Sequence, residues 1–276
     1  MAVKYVNRIA EKSTENKRGI MSIKRRKKKS FIYFLLLFIL LMTIVTVSSL
    51  TIFFNIKQIK ITGKSIYTEQ EIINNLGIKL SENMFRIDKF KTIKNIENNL
   101  PYIKSVMIKR NLPETLEVII APAVEVAYVE TAGGYAVLSN DGKVLNNLRE
   151  EPKLIKLIGS GIIKNTVGQQ AQFSTEGGKE VVEQLYELFK KFNVLDGVQQ
   201  LNIGKVYDLT FIYEDRFVVH LGNSDLLDSK IQFFEYLIKE KSKTEKAIIN
   251  VSDTADRKAS YIPLNQIEWE KQKNGE

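Results

Sequence analysis

The chain has no cysteine and a single histidine, His220. Disulfides are thereby excluded, so any folded part must be held by core packing alone. The usual zinc ligand sets and Cys/His nucleophile pairs cannot be assembled within the chain. His220 lies in Arg216-Phe-Val-Val-His-Leu221, a strand pattern, and reads as a structural or surface side chain. A serine triad would have only that one base, and no G-x-S-x-G is present. No Walker A or G-x-G-x-x-G loop occurs either. Asp141 and the Asp253/Asp256 pair read as solvated turn and loop residues. The sequence therefore offers no catalytic constellation, no metal site and no cofactor site.

Charge is scarce where it would matter for nucleic acid. Residues 1–30 carry eleven basic side chains against Glu11 and Glu15, a net +9 that equals the excess of the whole chain. The rest balances at 30 against 30. A nucleic-acid-binding body would be expected to carry its own basic face, so no nucleic-acid partner is expected.

Phe31 to Phe54 is a run of 24 residues without charge, Pro or Gly. As a helix it would reach about 36 Å, enough to cross a hydrocarbon core of roughly 30 Å. Thr43, Thr46, Ser48, Ser49 and Thr51 can return their hydroxyls to the helix backbone. Six successive cations, Lys24, Arg25, Arg26, Lys27, Lys28 and Lys29, precede the run, with only Ser30 between. They predict a cytoplasmic N-terminus, with residues beyond about 55 sent outward, and they can also meet anionic lipid. A cleaved signal peptide would have a shorter apolar core and an A-x-A-like site.

Beyond the span, Ile56, Ile59 and Ile61 predict a strand ending at Gly63. Thr68-Glu-Gln-Glu71 is a capping box opening a helix that Gly77 should stop. Asp88 caps a second helix, with Phe90, Ile93, Ile96 and Leu100 expected on its apolar face. Ile103–Ile108 and Leu116–Ile120 form a hairpin around Asn111-Leu-Pro-Glu-Thr115. The order β-α-α-β-β predicts a small α+β domain over residues 55–122. Residues 123–264 predict a mainly antiparallel β domain with two helices. Strands are expected at 124–129, 135–138, 143–145, 198–203, 208–213, 217–221, 247–251 and 259–264. Residues 265–276 are polar and are expected to fray.

This order resembles the FtsQ/DivIB division proteins, whose membrane-proximal unit is a POTRA domain. The resemblance rests on Phe54-Asn-Ile-Lys-Gln-Ile-Lys-Ile-Thr-Gly63, on Asn83-Met-Phe-Arg-Ile-Asp88, and above all on Leu100-Pro-Tyr-Ile-Lys through Arg110-Asn-Leu-Pro-Glu-Thr-Leu116. Ala121-Pro-Ala123, Asn140-Asp-Gly-Lys-Val144 and Val219-His-Leu-Gly222 with Lys230 also fit. Ile249-Asn-Val-Ser252 departs from the family's hydrophobic-Asp-hydrophobic-Arg pattern, while Tyr261 keeps an aromatic before Pro263.

The resemblance implies a non-enzymatic scaffold of septal cell-wall synthesis, enriched at the division septum. Its implied partners are FtsB/DivIC-type and FtsL-type proteins, one of which adds a strand to an exposed sheet edge. That edge is expected on Ala259, Ser260, Tyr261 and Ile262, with Ile248, Ile249, Asn250, Val251 and Ser252 beside it. From the residues alone, these two strands read as an ordinary internal pair. Two other readings stand beside the scaffold: a POTRA-bearing translocation or chaperone protein, and a membrane-anchored cell-wall enzyme.

Overall fold

The structure is a computed structural model that describes residues 31–48, 53–239, 241–242, 244–253 and 259–274. Lys24–Lys29 and part of the apolar run (residues 49–52) lie outside the described residues. Helix α1 spans Phe31–Ser48 with every side chain exposed, as a helix meant for lipid requires. Its hydroxyls behave as expected: Thr43 Oγ1 donates to Leu40 O at 2.7 Å, and Thr46 Oγ1 to Met42 O at 2.7 Å. The chain divides into two compact units. The smaller takes the described residues up to Gln58 with Lys79–Arg86 and Arg110–Thr115; the larger takes Ile59–Ile78, Ile87–Lys109 and Leu116 onward.

The first domain follows the expected order: β1 (Gln58–Thr62), α2 (Glu69–Leu76), α3 (Lys89–Asn99), β2 (Ile103–Asn111) and β3 (Thr115–Pro122), in a three-stranded sheet ordered β1-β3-β2. The capping box of α2 is complete. Thr68 N–H donates to Glu71 Oε2 at 2.8 Å, and Glu71 N–H to Thr68 Oγ1 at 3.3 Å. These bonds to Thr68 hold the Glu71 carboxyl below the usual range. Gly77 closes α2 at φ 66°, where a side chain would be strained.

Helix α3 starts at its predicted cap, Asp88, but the expected apolar face needs correcting. Ile96 and Leu100 are buried and Ile93 is half-buried, as expected, but Phe90 is 88% exposed and Thr92 is buried in its place. The buried stripe runs at i, i+4, i+8 through Thr92, Ile96 and Leu100. At about 100° per residue, Phe90 points about 120° away from Ile96.

The second domain is built on one nine-stranded sheet. Its strands are β4 (Glu125–Thr131), β5 (Gly134–Ser139), β6 (Val144–Leu148), β7 (Ile155–Ile158), β10 (Val198–Asn202), β11 (Leu209–Tyr213), β12 (Phe217–Gly222), β13 (Ala247–Asn250) and β14 (Ser260–Pro263). Two short strands, β8 (Ile162–Lys164) and β9 (Gln172–Phe173), pair separately. The helices are α4 (Gly178–Lys191), α5 (Leu227–Lys239) and α6 (Gln266–Asn274). The order across the sheet is β14-β13-β12-β11-β10-β7-β4-β5-β6.

Five neighbouring pairs are antiparallel, but β4·β7, β7·β10 and β12·β13 are parallel. Two of the parallel pairs follow from the helices. A strand that returns in the same direction needs a long crossover, and α4 and α5 supply it. Strand β7 was not expected; Ile155 and Leu157 are its buried alternation, only four residues long. The two helices cover one sheet face, packing Val181, Leu185, Phe189, Ile231 and Phe234 onto Leu201, Phe211, Val219 and Ile249.

Two lysines in the motifs read above are buried, and both are satisfied. Lys143, 5% exposed, donates from Nζ to Ile103 O of β2 at 2.8 Å. Burial pulls its pKa down, against the charges of Glu97 and Asp141. Lys230, 2% exposed, donates to Asn223 O at 2.8 Å and Asn223 Oδ1 at 2.9 Å. Both show the rule that a buried ammonium must be hydrogen-bonded.

Candidate functional site

Strand β14 ends the sheet. It pairs antiparallel with β13 in the register Asn250↔Ser260, Ile249↔Tyr261, Ile248↔Ile262 and Ala247↔Pro263, and has no other strand neighbour among the described residues. Leu264 N–H donates back to Lys246 O at 2.8 Å. Backbone groups alternate direction along a strand. Ser260 and Ile262 therefore also turn their N–H groups toward β13, and Tyr261 turns its N–H and C=O outward. Pro263 falls on an outward position, where its missing donor leaves no pairing undone. A short edge bearing Pro is how soluble sheets limit indiscriminate pairing.

Side chains alternate across the same strand. Tyr261 lies over the helix-covered core in register with Ile249, and its hydroxyl donates to Glu245 Oε2 at 2.6 Å. Lys241 Nζ stands 3.9 Å from the centre of the Tyr261 ring. Burial first, and then the Glu245 carboxylate, push the Tyr261 hydroxyl up to about 12. The same bond holds Glu245 below the usual range. Ile262 points to the opposite face and is 51% exposed. There it ends a row made by register, Ile212↔Val218↔Ile248↔Ile262.

The expected site residues fall into three groups. Ser260, Tyr261 and Ile262 form β14, with Ala259 flanking it, half-buried against the core. Ile248, Ile249 and Asn250 lie on β13, an interior strand; Val251 and Ser252 follow its end. Ile249 and Val251 are fully buried, so of this expected set they are corrected to core residues. Val251 N–H donates to His220 O at 2.9 Å, and Ser252 N–H to Asn250 Oδ1 at 2.9 Å. His220 itself is half-buried on β12 opposite Thr210, its pKa lowered by burial.

The expected frayed tail is also corrected. Residues Gln266–Asn274 form α6, and Trp269 is 0% exposed in a cluster with Ile212 and Val218, against which Ile248 and Leu264 pack. The polar composition hid a capping box: Asn265 N–H donates to Glu268 Oε2 at 2.9 Å, and Glu268 N–H to Asn265 Oδ1 at 3.0 Å. This N-x-x-E pattern before the chain's only tryptophan was the readable signal. Lys246 Nζ stands 5.2 Å from the Trp269 ring centre. The indole Nε1 is buried without a hydrogen-bond partner among the described residues.

That orphan donor sets how firmly α6 is held. Burying the indole is worth several kcal/mol, and the unmade hydrogen bond takes back about 1–3 kcal/mol. Trp269→Ala should therefore release α6 at a cost of about 2 kcal/mol, leaving the sheet intact. Hydrogen exchange should show loss of protection over residues 266–274 and none in β11 or β12. Unchanged protection in α6 would sink this reading.

Comparison with known proteins gives one consistent result. Residues 54–121 match the family described as POTRA domain, FtsQ-type, and residues 127–256 match Cell division protein FtsQ/DivIB, C-terminal. The chain is 29% identical over 214 residues to cell division protein DivIB of Clostridium botulinum (strain Loch Maree / Type A3), covering 76% of this chain and 82% of that one. It is 27% identical over 213 residues to DivIB of Clostridium acetobutylicum, covering 76% and 84%. It is 27% identical over 208 residues to cell division protein FtsQ of Geotalea daltonii, covering 74% and 75%. With the N-terminal apolar helix, the β-α-α-β-β domain and the β-rich domain all in place, the chain belongs to the FtsQ/DivIB family of cell division proteins.

Proposed function

We propose that this division protein is a non-enzymatic membrane scaffold that binds FtsB/DivIC-type and FtsL-type partners and so assembles septal cell-wall synthesis. In this reading the basic residues Lys24–Lys29 keep the N-terminus in the cytoplasm, and both folded domains lie outside, enriched at the septum. The partner adds a strand to β14. The single observation carrying the proposal is the outward edge of β14, where the backbone of Tyr261 is turned away from its only strand neighbour among the described residues. Strand addition draws affinity from such backbone groups and selectivity from alternate side chains. Ile262 and Ser260 on one face and Tyr261 on the other would be read by the guest.

The test separates backbone from side chain. In the full-length protein, Tyr261→Pro removes the outward N–H, whereas Tyr261→Ala keeps it. Binding of the FtsB/DivIC-type and FtsL-type complex should weaken at least about tenfold more in the Pro variant than in the Ala variant, equivalent to about 1.4 kcal/mol. Equal binding by the two variants would argue against strand addition at this edge.

A further inference from the structure

The smaller compact unit contains a feature separate from the strand edge proposed for partner binding. It joins the residues that leave the membrane span to two loops carrying exposed apolar side chains. Met84 N–H donates to Phe54 O at 3.0 Å, Ile56 N–H to Glu82 O at 2.9 Å, and Ser81 N–H to Ile56 O at 2.8 Å. The hairpin tip is tied on as well: Lys57 N–H donates to Glu114 O at 2.9 Å, and Lys57 Nζ pairs with the Glu114 carboxylate at 2.6 Å. The loops are thus bonded directly to the first residues after the span.

Chain geometry then limits their height above the bilayer. About 20 helical residues cross a hydrocarbon core of about 30 Å, so a span entering at Phe31 reaches the far boundary near residue 50. Phe54 would stand about 6 Å beyond it with a helical chain, within reach of the headgroup layer, and at most about 14 Å beyond it with a fully extended one. The headgroup layer itself is about 5–8 Å thick. Residues 81–84, bonded to Phe54 and Ile56, are held at the same height.

The side chains displayed there suit that layer. Phe53 is 69% exposed, Leu80 61%, Phe85 46% and Leu112 58%. Phe85 meets Phe54 edge-on with ring centres 5.3 Å apart, and the Arg110 guanidinium lies 5.3 Å from the Phe85 ring centre. Arg110 Nε also donates to Met84 O at 2.8 Å, fixing loop to hairpin. Aromatic rings and cations with apolar stems are the residues favoured at the membrane–water boundary. Over Asn55–Gln58, Lys79–Arg86 and Arg110–Thr115, Lys57, Lys79, Arg86 and Arg110 outnumber Glu82 and Glu114, which complements anionic headgroups.

We infer that this surface, centred on Leu80 and Phe85 with Leu112 and Arg86 beside them, rests in the headgroup layer of the lipid bilayer, making the first domain a second membrane contact. The span then ceases to act as a swivel, because a domain seated on lipid at two loops cannot turn freely about its anchor. The inference needs the span but neither the partner strand nor the direction of insertion.

The absence of cysteine allows a clean test. The full chain with Leu80→Cys or Phe85→Cys is spin-labelled and reconstituted into vesicles of equal parts phosphatidylcholine and phosphatidylglycerol. Ile39→Cys reports insertion of the span, and Tyr207→Cys, 67% exposed in the native chain, reports the aqueous phase. Relaxation by oxygen relative to a water-soluble nickel chelate should be several-fold higher at position 80 or 85 than at 207. A lipid-like ratio at either position supports the contact. Ratios at both positions matching 207, with the Ile39 label in lipid, would overturn it.

Discussion

Gly168→Ala should loosen the join between the nine-stranded sheet and helix α3, at a cost of about 2–5 kcal/mol. Gly168 sits at φ 86°, and a Cβ there would lie 1.9 Å from Asn98 O. A side chain in the left-handed region costs about 1–2 kcal/mol, and overpacking a close contact adds about 1–3 kcal/mol. Relief by local movement is limited because the loop is pinned on both sides. Gly168 N–H donates to Val144 O at 2.9 Å, and Val144 N–H to Gln169 O at 2.9 Å. The displaced loop would also disturb the bonds beside it, where Lys143 reaches Ile103 O and Lys104 Nζ reaches Asn140 Oδ1 at 3.2 Å. Hydrogen exchange should quicken at α3 and at the start of β6, and the unfolding midpoint should fall. A variant with native stability and native exchange in α3 would refute the argument.

Phe211→Ala should cost about 3–5 kcal/mol, the range for removing a large side chain from a packed core. Phe211 is 1% exposed at the centre of the helix-covered face. Its ring stands 5.1 Å from Phe189 of α4 and 5.0 Å from Phe234 of α5. The substitution therefore opens a cavity where both helices meet the sheet, and it removes two aromatic contacts worth about 0.5–1.5 kcal/mol each beyond their area. Against a typical total of about 5–15 kcal/mol, that is a large share of stability, with no disulfide in reserve. Phe90→Ala is the matched control: the same atoms leave an exposed ring, and the change should stay within about 0.5 kcal/mol. Denaturant unfolding of the two variants in the full chain would decide the matter. A Phe211→Ala loss below about 1 kcal/mol would mean that the core is not organised around this ring.

The contrast between those two phenylalanines shows how far local pattern reaches. Helix α3 was legible from Asp88 and its 3.6-residue spacing, but its rotation was not. Phe90 and Thr92 compete for the inward position, and the positions of Ile96 and Leu100 settle it against the larger residue. Similarly, Lys143 reads as an ordinary charged residue after a turn. Only the approach of β2, forty residues earlier in the chain, provides the carbonyl that lets its ammonium be buried. Strand β7 was missed because four alternating residues carry too little signal, and its parallel neighbours come from distant parts of the chain.

The candidate site divides in the same way. The run from Phe31, the capping box at Thr68, the hairpin turn at Asn111–Thr115 and the alternation in Ser260–Pro263 are all local, and the sequence by itself determines them. These features depend on neighbours a few residues away, through helix hydrogen bonds, side-chain caps and the two-residue period of a strand. Which of two similar alternating segments lies at the edge is not local. Ile249 and Tyr261 face the same core, yet β13 is enclosed between β12 and β14 while β14 has one neighbour among the described residues. Only the tertiary structure decides that, because edge or interior depends on which other strands have claimed the backbone donors and acceptors on each side.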